Sequence, residues 1–439
     1  MKKIIISLII VHCTLYIENC MSQWSTIYTS NPSQTIMALK FYDNNTGYHS
    51  GVLYNGSFNN IYKTTNGGLN YTAQYSGYTA QRFMSIFILH PDTAFICGNY
   101  GKILKTVNGG NNWIPFVYSD TTVQFWGLFF VNSVTGYVSG SAGKILKTTN
   151  KGDNWITLNS NSSTALDGIY FVNENTGYVG GANIFLKTTD EGATWVNKIG
   201  NFISPFETAQ AVYFSDVNTG YYCTNTSNSR TVKTTNGGDT WTLIDSNSVA
   251  GAGWDMSFVN ANTGYICTGN GKVKKTTNAG VNWTLQDTPL TENLYAIHFP
   301  SVNTGYIASW SGKILKTTNG GATYIYKENS NIPEKFQLYQ NYPNPFNSST
   351  TIKFNLPDRT VIARSPDENG INSTTWQSQK ISLKIFDITG KEIRTLVNES
   401  LEPGTYKISF NAINLPSGIY YYKLISREYS ITKKMLLIK

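Results

Sequence analysis

Between residues 293 and 328 the chain reads "NLYAIHFPSVNTGYIASWSGKILKTTNGGATYIYKE". Short apolar runs alternate with polar positions, and Asn, Gly, Ser and Thr separate them. "YAIHF" puts Ile297 and Phe299 on one face of a strand. "GYIAS", "KILKT" and "ATYIYK" follow as three further runs. Period-two alternation bounded by turn residues predicts four short antiparallel strands, A to D, in a meander.

The same pattern recurs along the chain. A box of the form "KTTNGGDTW" ends in an aromatic at Tyr71, Trp113, Trp155, Trp195, Trp241, Trp283 and Tyr324, at spacings of 42, 42, 40, 46, 42 and 41. Ahead of it lies "NTGY" (45–48, 175–178, 218–221, 262–265, 303–306), varied to "VTGY" at 134–137 and "DTAF" at 92–95. A period near 40 made of short strands predicts a propeller or another repeat array such as a solenoid. Seven units suit radial closure, which leaves only short, protected edges, and no polar capping unit stands out. "QWSTIYTS" (23–30) reads as a spare strand D that closes the ring by pairing in the last blade.

Each box residue has a structural use. Asn236 is expected to bond backbone two residues on, Gly238 to give a positive φ, and Trp241 to bury its ring between sheets. The equivalents of Asn236 are Asn66, Asn108, Asn150, Asp190, Asn278 and Asn319. Cys97, Cys223 and Cys267 fall at one repeated slot, filled by Ser, Gly or Ala elsewhere. They read as small buried thiols rather than a disulfide framework, and they match no zinc spacing.

Composition changes this picture little. The chain has 439 residues, with 14% aromatic and 14% charged residues, which fits a β-rich extracellular protein. The net charge of +8 is spread out, and seven lysines are one repeated box position, so no nucleic-acid groove is expected. Residues 1–22 have a basic start and a short apolar core, as a secretory signal does, with no lipid-anchor pattern around Cys13 or Cys20. No other stretch is long and apolar enough to span a bilayer.

Strand order places the A–B and C–D turns, with their repeated motifs, on one face. The variable D–A and B–C loops lie on the other, where binding residues concentrate. The residues leading into strand A are Met37, Met84, Trp126, Asp167, Gln210, Trp254 and Tyr295, expected to ring the mouth of a channel. The next ones (Ala38, Ser85, Gly127, Gly168, Ala211, Asp255, Ala296) are nearly all small, as a crowded axis requires. Trp126, Trp254, Tyr295 and Trp310 are candidates for stacking on a sugar or peptide, with Asp167, Asp255, Arg82 and Arg230 as polar partners. His49, His90 and His298 show no ligand spacing, and no metal or cofactor site is expected.

The boxes resemble the Asp-box, or BNR, repeat, with Asn in place of Asp except at Asp190. With "TGY" and "GKILKTTNGG", the unit also resembles the propeller family of photosystem II assembly factors, over residues 36–328. That resemblance implies a structural box, away from any site. The best-known Asp-box enzymes, the sialidases, clamp a carboxylate with three arginines. Only Arg82 and Arg230 occur in this region, so a sialidase is excluded.

After a polar linker (329–335), residues 336–439 again alternate between apolar runs and Gly/Pro turns, which predicts a small β-sandwich of Ig-like type. "NYPNPFN" (341–347), "DITGKEI" (387–393), "LPSGIYYYKL" (415–424) and "KKMLLIK" (433–439) resemble the type A sorting domain of the type IX secretion system. Ser348 stands where that domain usually has Pro, and 358–380 reads as an inserted loop. The resemblance implies export through that machinery to the medium or the cell surface. The expectation is thus an all-β chain: signal peptide 1–22, seven-bladed propeller 23–328 and sorting domain 336–439. Its leading function is non-catalytic binding or adhesion to a protein or glycan. The alternative is a glycan-directed hydrolase using Asp167 or Asp255, which would need two facing carboxylates.

Overall fold

The computed structural model describes residues 23–439 apart from 32–33, 54–57, 79–80, 199–206, 322–324, 330–331, 359–377, 413–414 and 428. The expected signal peptide and most of the 358–380 insertion lie outside the described residues. The described chain divides into two compact units, Gln23–Gly321 and Ala322–Lys439, and no α-helix occurs among the described residues.

The first unit is seven four-stranded antiparallel sheets. Six follow chain order, the first being Gln34–Phe41, Gly47–Leu53, Phe58–Thr64 and Thr72–Tyr78. The seventh takes Leu294–His298, Gly305–Ser309 and Lys313–Thr317 from the repeat and its outer strand, Ser25–Thr29, from the N-terminal end. The spare strand D therefore pairs where the sequence predicted.

"ATYIYK" does not serve as the strand D of the last unit. Ile325–Asn329 pairs instead with Gly404–Asn411 in the second unit, so the two units part after Gly321 rather than after residue 328. The N-terminal strand prevails because it brings its own tryptophan. Trp24 is fully buried and stands edge-on to Phe299 at 5.7 Å, as Trp155 does to Phe130 at 6.0 Å and Trp241 to Phe214 at 6.2 Å. Trp24 thus fills the slot that the repeat spacing assigned to Tyr324, which lies outside the described residues.

The "TGY" motif joins blades. In every blade but the second, the strand A phenyl ring lies over the glycine of its own motif. A Cβ on Gly220 would meet the Phe214 ring at 2.3 Å, so any side chain there must displace the ring. On its other face Phe214 stacks on Tyr178 of the preceding blade, at 3.5 Å and 4°. Phe41 and Tyr306 repeat this stack at 3.6 Å, which brings the first blade against the seventh.

The box lysine completes the joint. Lys187 lies over the Tyr178 ring at 5.7 Å and donates to the carbonyl of Gly237 in the next box at 2.9 Å. Lys233, Lys275 and Lys316 repeat both contacts, on Ala279, Gly320 and Gly67. The box therefore ties one blade to its neighbour as well as strand C to strand D.

The second blade departs from the pattern, and its substitutions are mutually consistent. "DTAF" supplies Ala94 and Phe95, and Ile88 stands opposite Ala94 where the other blades have Phe and Gly. Lys105 of this blade pairs with Asp153 at 2.6 Å.

Ala322–Lys439 holds two four-stranded sheets. One runs Ile325–Asn329, Gly404–Asn411, Ser349–Leu356, Gln337–Leu338. The other runs Glu392–Leu401, Gln379–Phe386, Gly418–Ile425, Ser430–Leu437. Alternate residues from both, among them Phe354, Phe410, Ile385, Tyr422 and Leu424, form one buried core, as a sandwich requires.

Candidate functional site

The seven A strands each carry a β-bulge at their first turn of pairing. It falls between Ile36 and Ala38, Phe125 and Gly127, Gly253 and Asp255, and at equivalent places in the other blades. The residue inside the bulge lacks a partner on strand B, and a bulge re-aims its side chain. Those residues are Met37, Met84, Trp126, Gln210, Trp254 and Tyr295, with Asp167 and Gly168 sharing the wider bulge of the fourth blade. All line one axial cavity of about 570 Å³, within the size range of small-molecule sites. The predicted mouth ring is thus assembled, and the bulge explains why it faces the axis.

Aromatic side chains dominate one side of the mouth. Trp254 and Tyr295 meet edge-to-face at 4.9 Å, and Tyr295 contacts Trp310 at 5.9 Å. Trp310 is the most exposed of the three, at 40%. Trp126 and Trp254 are half-buried, each with part of its ring open to the cavity.

Asp167 lies in the bulge of the fourth blade, beside the small waist residue Gly168. Burial pushes its carboxyl up to about 6, against a hydrogen bond from Gln210 Nε2 at 3.3 Å. Asp255 serves differently. Its two oxygens accept from the backbone N–H of Met256 (2.8 Å) and of Ile297 in the next blade (3.0 Å). Burial raises its carboxyl, and these N–H groups and the Lys40 charge oppose the rise. The two carboxylates do not bond to each other.

A second ring lies three residues further along each A strand and was not singled out from the sequence: Lys40, Phe87, Phe129, Tyr170, Tyr213, Ser257 and His298. The register that gives the mouth ring gives this one by a shift of three, so the signal was present. Four aromatics form an arc through successive contacts of 5.5, 4.9 and 5.4 Å. The other three residues form a polar arc. Ser257 Oγ accepts from the Phe299 N–H at 3.1 Å, and His298 Nδ1 from the Phe41 N–H at 3.2 Å. The innermost strand has a free edge toward the channel, and these side chains satisfy it. Burial lowers Lys40, with Asp255 opposing, and holds His298 well below its usual range, with Lys40 adding to the effect.

The remaining predicted residues fall elsewhere. Arg230 is spent on buried Glu207, at 2.7 Å, and Arg82 is exposed; neither lines the cavity. The box residues lie at the opposite end of the strands. Asn236 Oδ1 accepts from the Thr240 N–H, four residues on rather than two, and from the Thr234 hydroxyl, both at 2.9 Å. Asn66, Asn108, Asn150 and Asn278 do the same, and the Asn319 side chain accepts from Thr317. At Asp190, hydrogen bonds led by the Thr194 hydroxyl lower the carboxyl to about 2. Cys97, Cys223 and Cys267 are buried free thiols. His49 is core, His90 is exposed, and no cluster able to hold a metal occurs among the described residues.

Residues 156–288 match the family model of the Photosynthesis system II assembly factor YCF48, and residues 340–439 that of the Secretion system C-terminal sorting domain. A comparison with curated proteins finds no match. Among solved structures, YCF48 bound to D1 peptide is 17% identical, with 68% of this chain and 98% of that one covered at a TM-score of 0.55. YCF48 from Cyanidioschyzon merolae is 18% identical, covering 67% and 98%, with a TM-score of 0.53. PorZ of Porphyromonas gingivalis, a surface component of the type IX secretion system, is 13% identical over 91% of this chain and 59% of that one, with a TM-score of 0.50. The identities are low, so these three likenesses concern the fold. The chain joins a propeller with the YCF48-type BNR repeat to a secretion-system C-terminal sorting domain, which marks it for type IX export to the cell surface or the medium.

Proposed function

We propose that the exported propeller is a binding module that takes a peptide segment of another extracellular protein into its axial channel. The observation that carries this reading is the convergence of seven bulge-directed side chains, with Trp126, Trp254 and Tyr295 among them, on one cavity of about 570 Å³. Aromatic anchors on a rigid ring give contact area at low entropic cost. A propeller of the same fold, YCF48, has been solved bound to a peptide, which supports a peptide over a glycan.

Peptide and glycan arrays probed with the full chain, with a hydrolysis assay on every binder, test the reading. Binding of a peptide that falls at least tenfold in Trp126→Ala and Trp254→Ala is the expected result. Binders indifferent to both substitutions would place recognition elsewhere.

One observation favours a hydrolytic alternative: Asp167 carries a carboxyl raised to about 6 at the channel mouth, as a general acid requires. Glycan turnover abolished by Asp167→Asn would establish it and overturn the non-catalytic reading.

A further inference from the structure

The polar arc of the second ring differs from an ordinary hydrophilic wall in that its acceptor atoms are already in use. Ser257 Oγ, His298 Nδ1 and both Asp255 oxygens accept backbone N–H groups from strand edges. The arc still has hydrogens to donate. With Nδ1 accepting, the neutral imidazole of His298 carries its hydrogen on Nε2. The Ser257 hydroxyl keeps its hydrogen. Among the described residues no hydrogen bond or ion pair holds the Lys40 ammonium, although it lines the cavity. The Asp255 charge acts on Lys40 without a hydrogen bond to it, each Asp255 oxygen accepting a backbone N–H. Across the channel stand the rings of Phe129, Tyr170 and Tyr213.

We infer that this ring is a carboxylate receptor: the channel ligand presents a carboxylate, on an apolar peptide body, to Lys40, His298 and Ser257. A carboxylate is acceptor-only and matches the donors of Lys40, His298 and Ser257, and charge-assisted bonds are the strong ones. This rests on the channel reading above and adds the chemistry of the group recognised. The carboxylate is either a chain's C-terminus or an acidic side chain, both the same group to this site.

The channel contains its own reporters. Met37, Met84 and Met256 line the cavity, whereas Met435 is buried in the C-terminal sandwich. Full chain with isotope-labelled methionine methyls is titrated with N-acetyl-phenylalanine, with its C-terminal amide, and with N-acetyl-glutamyl-phenylalaninamide, which keeps only a side-chain carboxylate. The expected result is methyl shifts at the three channel methionines, with a carboxylate probe bound at least tenfold more tightly than the plain amide. Which of the two carboxylate probes prevails identifies the source. Lys40→Met should abolish the preference and Lys40→Arg should keep it, with the Met435 signal unchanged as evidence of folding. Equal binding of acid and amide, a preference that survives Lys40→Met, or no channel shift with any probe overturns the inference. Equal binding that still moves the channel methyls leaves the channel reading standing without its carboxylate.

Discussion

Trp24 donates its indole N–H to Oε1 of Gln286 at 3.1 Å, and the amide of Gln286 donates onward to the carbonyl of Gly321. One buried chain of contacts thus links the N-terminal strand, the sixth blade and the last residue of the propeller unit. Trp24→Ala removes this link together with the packing on Phe299. It should cost about 3–5 kcal/mol, the usual range for a buried Trp truncation. Urea unfolding followed by tryptophan fluorescence measures it. A loss below about 1 kcal/mol would mean that the ring is not held shut there.

Gly220→Ala should destabilise the propeller by about 1–3 kcal/mol, because the new methyl has to displace the Phe214 ring from its stack on Tyr178. The double change Gly220→Ala with Phe214→Ile imitates the second blade, where Ala94 and Ile88 coexist, and should recover part of the loss. Additive losses in the urea midpoints would show that ring and glycine are not coupled.

His49 is fully buried against Tyr62 at 4.8 Å, Tyr71 at 4.5 Å and Tyr28 of the closing strand at 5.8 Å. Burial lowers its imidazole to about 3. The unfolded chain, with an ordinary histidine near 6.5, therefore binds more protons between about 6.5 and 3. Stability should fall as pH drops through that window, by up to about 1.4 kcal/mol per pH unit from this residue. His49→Phe should flatten the profile by that difference. An unchanged acid limb would assign the acid sensitivity to carboxylates alone.

Asp167 has the opposite sign. Its carboxyl is raised to about 6, so the folded protein binds more protons than the unfolded chain between about 4 and 6. Its contribution to stability declines as pH rises through that range. Asp167→Asn should be more stable than the parent above pH 6, with the two converging near pH 4. A variant less stable at pH 7 would show that the charged form is held by partners stronger than Gln210.

The repeat made most of the fold legible, because box, "TGY" and strand lengths are local properties of each unit. The closing of the seventh blade was legible only in part. "QWSTIYTS" reads as a strand D, but two segments competed for one edge, and only packing decides that Trp24 prevails over the segment ending at residue 327. The mouth ring was legible because its residues stand at one register. The bulge that aims them was not, since nothing in Met37 or Trp126 marks an extra residue in the ladder. Lys40 was overlooked and His298 set aside for want of ligand spacing, because the polar arc exists only after three blades from opposite ends of the repeat are brought together. Arg230 read as a polar partner at the mouth because nothing in the sequence marks its own partner, Glu207, in the loop before its blade.

The closing strand also has a bearing on the order of events during folding. Ser25–Thr29 is synthesised before the six contiguous blades, yet its partner Lys313–Thr317 is among the last strands of the propeller. Blades one to six can form from contiguous chain, as low-contact-order units do, while the seventh waits for a pairing across the whole propeller. Until then Lys313–Thr317 has an unoccupied edge, the kind of surface that recruits foreign strands. Any delay in ring closure therefore lengthens the time for which that edge is open to foreign strands.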